Sequence, residues 1–413
     1  MLRTPFYGIF HLTMRARLVM RACLISAAIV LVLHLPGASA SDGGVAGATM
    51  EGYPLPTPFS HPLGIVSDGE GRIWFTEQST HRIGLFDPEK EEFTEFDLPA
   101  GASPADITAA PDGTIWFTLV SSAVNSIGRI SPASGKTETF KVPTPAAEPY
   151  KIAVAPDGAV WFTERNANKI GRFKEGKFEE YAVITPDSQP NGISVDSNGV
   201  VWFAESVGNK IGKLDLAAGS MTEYLIQHPF VNPADLIVDS DDRVWFVEMN
   251  GNKIGMLDPA TGEFNEATIP KVSSVPVALA VGADGLIWFV ENRGNKVGSF
   301  DPRSATFREY DIPTPRSLPS GIAVDPRGRV WLTESDRDAN SILMLVPAVE
   351  ETTLEEPPAE DTGPAMVDTP PPAEEAKGGE GGGGGGSGKA AAAIVVFVLF
   401  AAALWYIIRR TQK

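Results

Sequence analysis

Cysteine is almost absent from this 413-residue chain. The one residue, Cys23, lies in an apolar N-terminal run, and Arg21 and Ala22 before it do not form a lipoprotein-like context. Removal of that run leaves no thiol, which excludes disulfides, thiolate metal sites and cysteine nucleophiles. Basic residues are also scarce, 34 Lys+Arg against 52 Asp+Glu, so a polyanion such as nucleic acid is not an expected partner. There is no N-x-[ST] sequon, P-loop, Ser-His-Asp order or His-x-x-x-His pair, and no stretch of 51–347 carries a helical hydrophobic period.

The two ends read as targeting segments. Arg3, Arg15, Arg17 and Arg21 precede ACLISAAIVLVLHL, and PGASA follows. A basic start, an apolar core and an A-x-A end make 1–40 a secretory signal cut after Ala40, with an uncleaved N-terminal anchor as the alternative. Residues 41–50 form a short leader. At the other end, residues 390–408 carry no charge, and as a helix they span about 28 Å, near the thickness of a hydrocarbon core. Trp405 and Tyr406 suit the interface, and Arg409, Arg410 and Lys413 follow. These features predict a transmembrane helix over 389–408, a cytoplasmic tail over 409–413, and a single-pass type I protein with its body outside the cell membrane. Residues 348–388 are acidic, Pro-rich and Gly-rich and read as a spacer with a reach of roughly 35 Å.

What is abundant is repetition. Trp74, Trp116, Trp161, Trp202, Trp245, Trp288 and Trp331 are spaced by 42, 45, 41, 43, 43 and 43 residues. Each unit holds four short extended pieces separated by turn signals, as in EPYKIAVA, AVWFTE, KIGRF and FEEYAVI. Four strands per unit, repeated radially, make a propeller blade; the coils of a stacked β-solenoid are usually shorter than this period. An outer-strand phrase occurs seven times, first as GYPLPTP before the first Trp, while the last unit ends at NSILMLVP without one. The fold class is therefore all-β: a seven-bladed β-propeller of four-stranded blades over 51–347. Its N-terminal strand closes the last blade, leaving no free edge.

Within the repeated phrase, Trp is expected between neighbouring sheets, and N-x-I-G is read as turn chemistry. Glu77, Glu164, Glu205, Glu248, Glu291 and Glu334 each stand three residues after a Trp, with Leu119 in the second unit. They would either ring the channel with carboxylates or serve the fold through backbone N–H groups and neighbours such as Lys169; six equal copies favour the fold. Sites are sought where the repeat is broken. Aligned first strands place His61, Asp106, Glu148, Tyr150, Lys151, Gln189, Asn191, Asn232 and Asp235 at the channel mouth, with His228 expected on the same face. Such a set could bind a divalent cation or a polar ligand.

The PLPTP-like strands, PDG turns, WFTE and NKIG together resemble the virginiamycin B lyases, or streptogramin lyases, over essentially all of 51–347. The resemblance implies a seven-bladed propeller that opens a cyclic depsipeptide by elimination, with magnesium polarising the ester carbonyl and a histidine as base. It implies a metal carboxylate just before the first-strand proline, where Glu148 stands, with Glu164 as the nearest second carboxylate. The implied histidine position holds Tyr150, and the implied second ligand position holds Arg165. Tyr150 and a displaced His228 are thus the catalytic candidates, Glu148 and Glu164 the metal candidates, and His61, Asn191, Asp106 and Asp235 the substrate-binding candidates. Three functions follow in order: a membrane-anchored module binding a small-molecule or protein ligand at the mouth, a metal-dependent C–O lyase, and a lactone hydrolase.

Overall fold

The structure is a computed structural model and describes residues 47–348. The segments 1–40, 349–388 and 389–413, with the signal, most of the spacer, the membrane helix and the tail expected there, lie outside the described residues. Among the described residues there are seven four-stranded antiparallel sheets and no helix. Six blades are continuous in sequence, at 62–97, 104–141, 149–182, 190–225, 233–268 and 276–311. The seventh combines 319–346 with the N-terminal strand Thr49–Pro54, which pairs with Ser341–Val346, Thr49 opposite Val346 and Pro54 opposite Ser341. The closing strand is thus TMEGYP, shifted from the GYPLPTP phrase, whose LPTP belongs to the connector. Every sheet is complete within 49–346, so this span holds all the strands and core needed to fold as a unit.

Pairing fixes the two ends of the ring. In each blade the first strand starts opposite the end of the second, as Pro149 does opposite Glu164, and the third starts there too, with Lys169 opposite Glu164. One face of the propeller, the mouth, therefore carries the loops between second and third strands and the connectors between blades. The other face carries the PDG-type turns and the turns between third and fourth strands.

The Trp side chains lie between sheets, as expected. Trp74 packs with Ile107, Ile115 and Phe117 of the next blade, and Trp331 closes the ring against Ile65, Ile73, Phe75 and Phe86. Burying one such ring contributes about 5 kcal/mol before conformational entropy is subtracted. The glycine of N-x-I-G has a different role from the one expected. Gly212 lies within a strand, and a Cβ there would sit 2.1 Å from the Phe203 ring. Glycine makes room for the phenylalanine of the neighbouring W-F pair, and five other blades repeat this contact. Turn chemistry rests on the asparagine alone.

That asparagine is left-handed in six blades; Asn252, for example, has φ 57°. Its side-chain amide donates to Ile269 O and Lys271 O in the connector to the next blade, and its Oδ1 accepts from Ser274 N. Blade 1 has His81 in this place. The connectors are left-handed as well, twice each in six cases, and one such residue directly precedes the first-strand proline: His61, Glu148, Gln189, Asn232, Val275 or Leu318. Its carbonyl is thereby turned to accept from the residue after the second strand, as Glu148 O does from Arg165 N at 3.1 Å. Because six blades share this backbone, its strain belongs to the joint.

Replacing Asn252 with Ala should lower stability by about 2–4 kcal/mol through lost buried hydrogen bonds and a strained φ. Denaturant unfolding of Asn252→Ala beside Asn252→Gly separates the two causes, since glycine keeps the φ and loses only the bonds. A fall of only a few tenths in both variants would contradict the assignment.

Candidate functional site

A bulge at the start of the first strand builds the mouth. In blade 3, Pro149 pairs with Glu164 and Ile152 with Phe162, so Tyr150 and Lys151 together oppose one residue. A bulge re-aims side chains, and here both residues line a central cavity of about 530 Å³. The same register brings Asp106 from blade 2, Asn191 from blade 4 and Asp235 from blade 5 to it, with Met249, Val275 and Val277 on an apolar wall. Glycines occupy the level of Lys151 in three blades, at Gly64, Gly192 and Gly321, and each lies against backbone of the next inner strand.

The Lys151 ammonium spans the cavity. Its Nζ lies 3.0 Å from Asp235 Oδ2 and 3.4 Å from Asp106 Oδ1, and Asp106 Oδ2 also accepts from Ile152 N. Burial alone would depress the lysine, but the two flanking carboxylates hold it above its ordinary value. Burial, with Asp106 nearby, pushes Asp235 up against the opposing pull of Lys151. The bridge joins blades 2, 3 and 5.

Beside it, Arg165 Nη2 lies 3.3 Å from Glu148 Oε1, and the Arg165 guanidinium lies over the Tyr150 ring at 4.2 Å. The cation beside Glu148 is thus supplied by the chain itself. The resemblance implies a second metal carboxylate where Arg165 stands, and among the described residues no three His, Cys, Asp or Glu side chains group to hold a metal ion. The residues present do not fit the metal that the resemblance implies.

The structure brings Asp106, Tyr150, Asn191 and Asp235 together around the cavity, and Asn191 Oδ1 is buried without a hydrogen-bond partner. Four other candidates are placed elsewhere. His61 lies at the rim, its Nδ1 3.2 Å from Gln78 Oε1. Glu148 is held by Arg165. His228 is exposed over the outer part of blade 5, its Nδ1 3.0 Å from Glu266 Oε2, the place that Thr144 and Thr185 take against Glu180 and Glu223 in blades 3 and 4. It shares the mouth face but does not line the cavity. Glu164 is fully enclosed, as are Glu77, Glu205, Glu248 and Glu291. These glutamates form no carboxylate ring facing the channel.

Each enclosed glutamate belongs to a repeated cluster instead. Lys169, at first sight a partner of Glu164, bonds Glu180 and Thr144. Burial, reinforced by Glu180, pushes Glu164 up to about 8; burial, reinforced by Glu223, pushes Glu205 up to about 7. In the neutral form each can donate its proton to the outer-strand carboxylate. The sequence signal missed here is the outer-strand Glu that follows each N-K pair. Arg293 and Asn292 of blade 6, also at the cavity, were hidden by their place in a loop that otherwise looks like turn chemistry.

The profile of the Virginiamycin B lyase family matches residues 43–241 and 148–362. Among solved structures, the selenomethionine-substituted virginiamycin B lyase from Staphylococcus aureus is 32% identical, covering 73% of this chain and 99% of its own, with a TM-score of 0.67. A streptogramin B lyase structure is 31% identical, covering 72% of this chain and 97% of its own, with a TM-score of 0.68. A catalytically inactive His-to-Ala variant of the S. aureus enzyme with quinupristin is 32% identical over the same 73% and 99%, with a TM-score of 0.67. No curated protein sequence matches the chain significantly.

The enclosed glutamates set a pH dependence. Folding raises Glu205 above its unfolded value, so its favourable contribution is complete below about pH 4 and is lost as pH rises through about 7. Glu205→Gln should therefore gain thermal stability relative to the parent at pH 8 compared with pH 5. Melting curves at both values test this, and an unchanged difference would place the proton elsewhere.

Proposed function

The chain belongs to the virginiamycin B lyase family, and from that premise we propose that this member is a ligand-binding propeller rather than a streptogramin-opening enzyme. The observation that carries the reading is the Arg165 guanidinium, seated on Glu148 and over Tyr150. Elimination of an ester needs a base that takes a proton near neutral pH and an electrophile on the carbonyl. A phenol is a poorer proton acceptor than the imidazole that the resemblance implies, and among the described residues no histidine lines the cavity. The relative that holds quinupristin is inactive through loss of a single histidine, which supports giving weight to this difference.

Tyr150 and Asn191 offer an aromatic face, a hydroxyl and an unpartnered amide oxygen beside the apolar wall of Met249, Val275 and Val277. That combination suits a polar ligand with one apolar side. The Asp106–Lys151–Asp235 bridge forms the floor, so ligand enters from the mouth. In this reading the body is displayed outside the cell, tethered through 348–388 to the helix 389–408, and binds without a divalent cation.

The propeller incubated with magnesium and a streptogramin B should leave the substrate unchanged by liquid chromatography with mass detection. An isomeric product of equal mass that disappears in Glu148→Gln would overturn the binding reading and establish a lyase; a product heavier by one water would point to a hydrolase.

A further inference from the structure

Exposed large apolar side chains are concentrated on the mouth face. While Ile184, Val207 and Leu225 are exposed at the mouth end around blade 4, Phe59, Phe230, Val272 and Leu318 stand on four successive connectors, leading into blades 1, 5, 6 and 7, with Phe230 and Val272 85% and 78% exposed. Between them lie four cations, Lys271, Arg293, Arg316 and Arg337, all exposed and none with a carboxylate partner among the described residues. This is unusual for a chain with acids in such excess, where Arg72, Arg82, Lys90, Arg129, Arg243 and Arg329 each meet a carboxylate.

The residues form one arc. Arg293 N donates to Ser274 O, tying its loop to the connector of Lys271 and Val272. The Asn292 amide donates to Pro319 O, just after Leu318. Asp336 N donates to Ser317 O, and the Arg337 guanidinium lies 4.6 Å from the centre of the Phe59 ring. Asp336 and Asp338, in the loop of Arg337, and Glu309 beside Lys271 leave the arc with an excess of one positive charge. The Glu309 carboxylate accepts Lys271 N from the outer strand. Across the mouth, Arg165 is paired with Glu148 and Asp187 is exposed.

We propose that this arc docks an extended acidic peptide segment carrying apolar side chains. Unpaired cations call for an anionic partner, and alternation with protruding apolar groups calls for one that is amphipathic. The clustering of unpaired cations in this arc, with Asp187 exposed on the connector of Ile184 across the mouth, selects a linear acidic partner over an anionic lipid surface, which would press on the whole face. The proposal deepens the binding reading by naming a partner class, and it rests on that reading only in requiring the mouth to be accessible.

The test is fluorescence anisotropy at low salt with the propeller and a fluorescein-labelled peptide of repeated Glu-Phe-Asp-Leu units. Saturable binding is expected. It should weaken roughly tenfold or more in the triple variant Lys271→Gln, Arg316→Gln, Arg337→Gln, which spares the cavity-lining Arg293, and fade as salt is raised. Lys141→Gln with Lys177→Gln, which removes two exposed cations outside the arc, should leave it unchanged. No saturable binding, an equal loss in this control pair, or a preference for phosphatidylglycerol vesicles over the peptide would overturn the arc. Loss in Tyr150→Ala with the triple variant unaffected would also overturn it, while leaving the central-cavity reading standing.

Discussion

One asparagine side chain per joint decides how this ring is assembled. In six blades it sits in a left-handed conformation at the end of the loop between second and third strands, and its amide clamps the connector that enters the next blade. The clamp orients the connector, and the connector orients the proline that opens each inner strand. Everything at the mouth inherits this geometry: the left-handed residue before the proline, the bulge after it, and the approach of Arg165 to Glu148. Blade 1 is the exception. With His81 in place of the asparagine, its connector carries a left-handed glycine, Gly101, and one of its imidazole nitrogens is buried without a partner.

Architecture was legible in the chain because repetition exposes it. Seven tryptophans at a near-constant spacing, and an outer-strand phrase displaced to the front, sufficed for blade number, strands per blade and ring closure. Packing within the blade was less legible. Gly212 looks the same in sequence whether it turns the chain or yields to Phe203, and only the third dimension distinguishes them. The enclosed glutamates posed a similar problem: their spacing puts them at strand ends, but whether a strand end faces a channel or lies under a connector depends on where the loops fold.

The site was legible in part, and the division has a physical reason. Tyr150, Asn191, Asp106 and Asp235 follow the inner-strand register, which the aligned prolines reveal. Lys151 was visible as a mouth residue, yet its bond to Asp235, 84 positions away, exists only because the ring brings blades 3 and 5 to a common axis. His228 misled because it precedes a proline, as mouth residues do. That proline belongs to the connector and not to the inner strand, so the imidazole falls over the outer strand, beside Glu266.

Divergence within a shared fold is easiest where the architecture does not use the side chain. The backbone of Glu148 and Arg165 is bound into the joint through Arg165 N and Glu148 O, a bond that any pair of side chains permits. Their side chains are therefore free to change while the scaffold stays constant. An arginine at this position brings its own charge to the carboxylate and places a planar cation on the neighbouring aromatic ring, which a dissociable ion would not do. Under the binding reading proposed above, this pair gives the mouth a fixed, hydrogen-bonding surface suited to recognition.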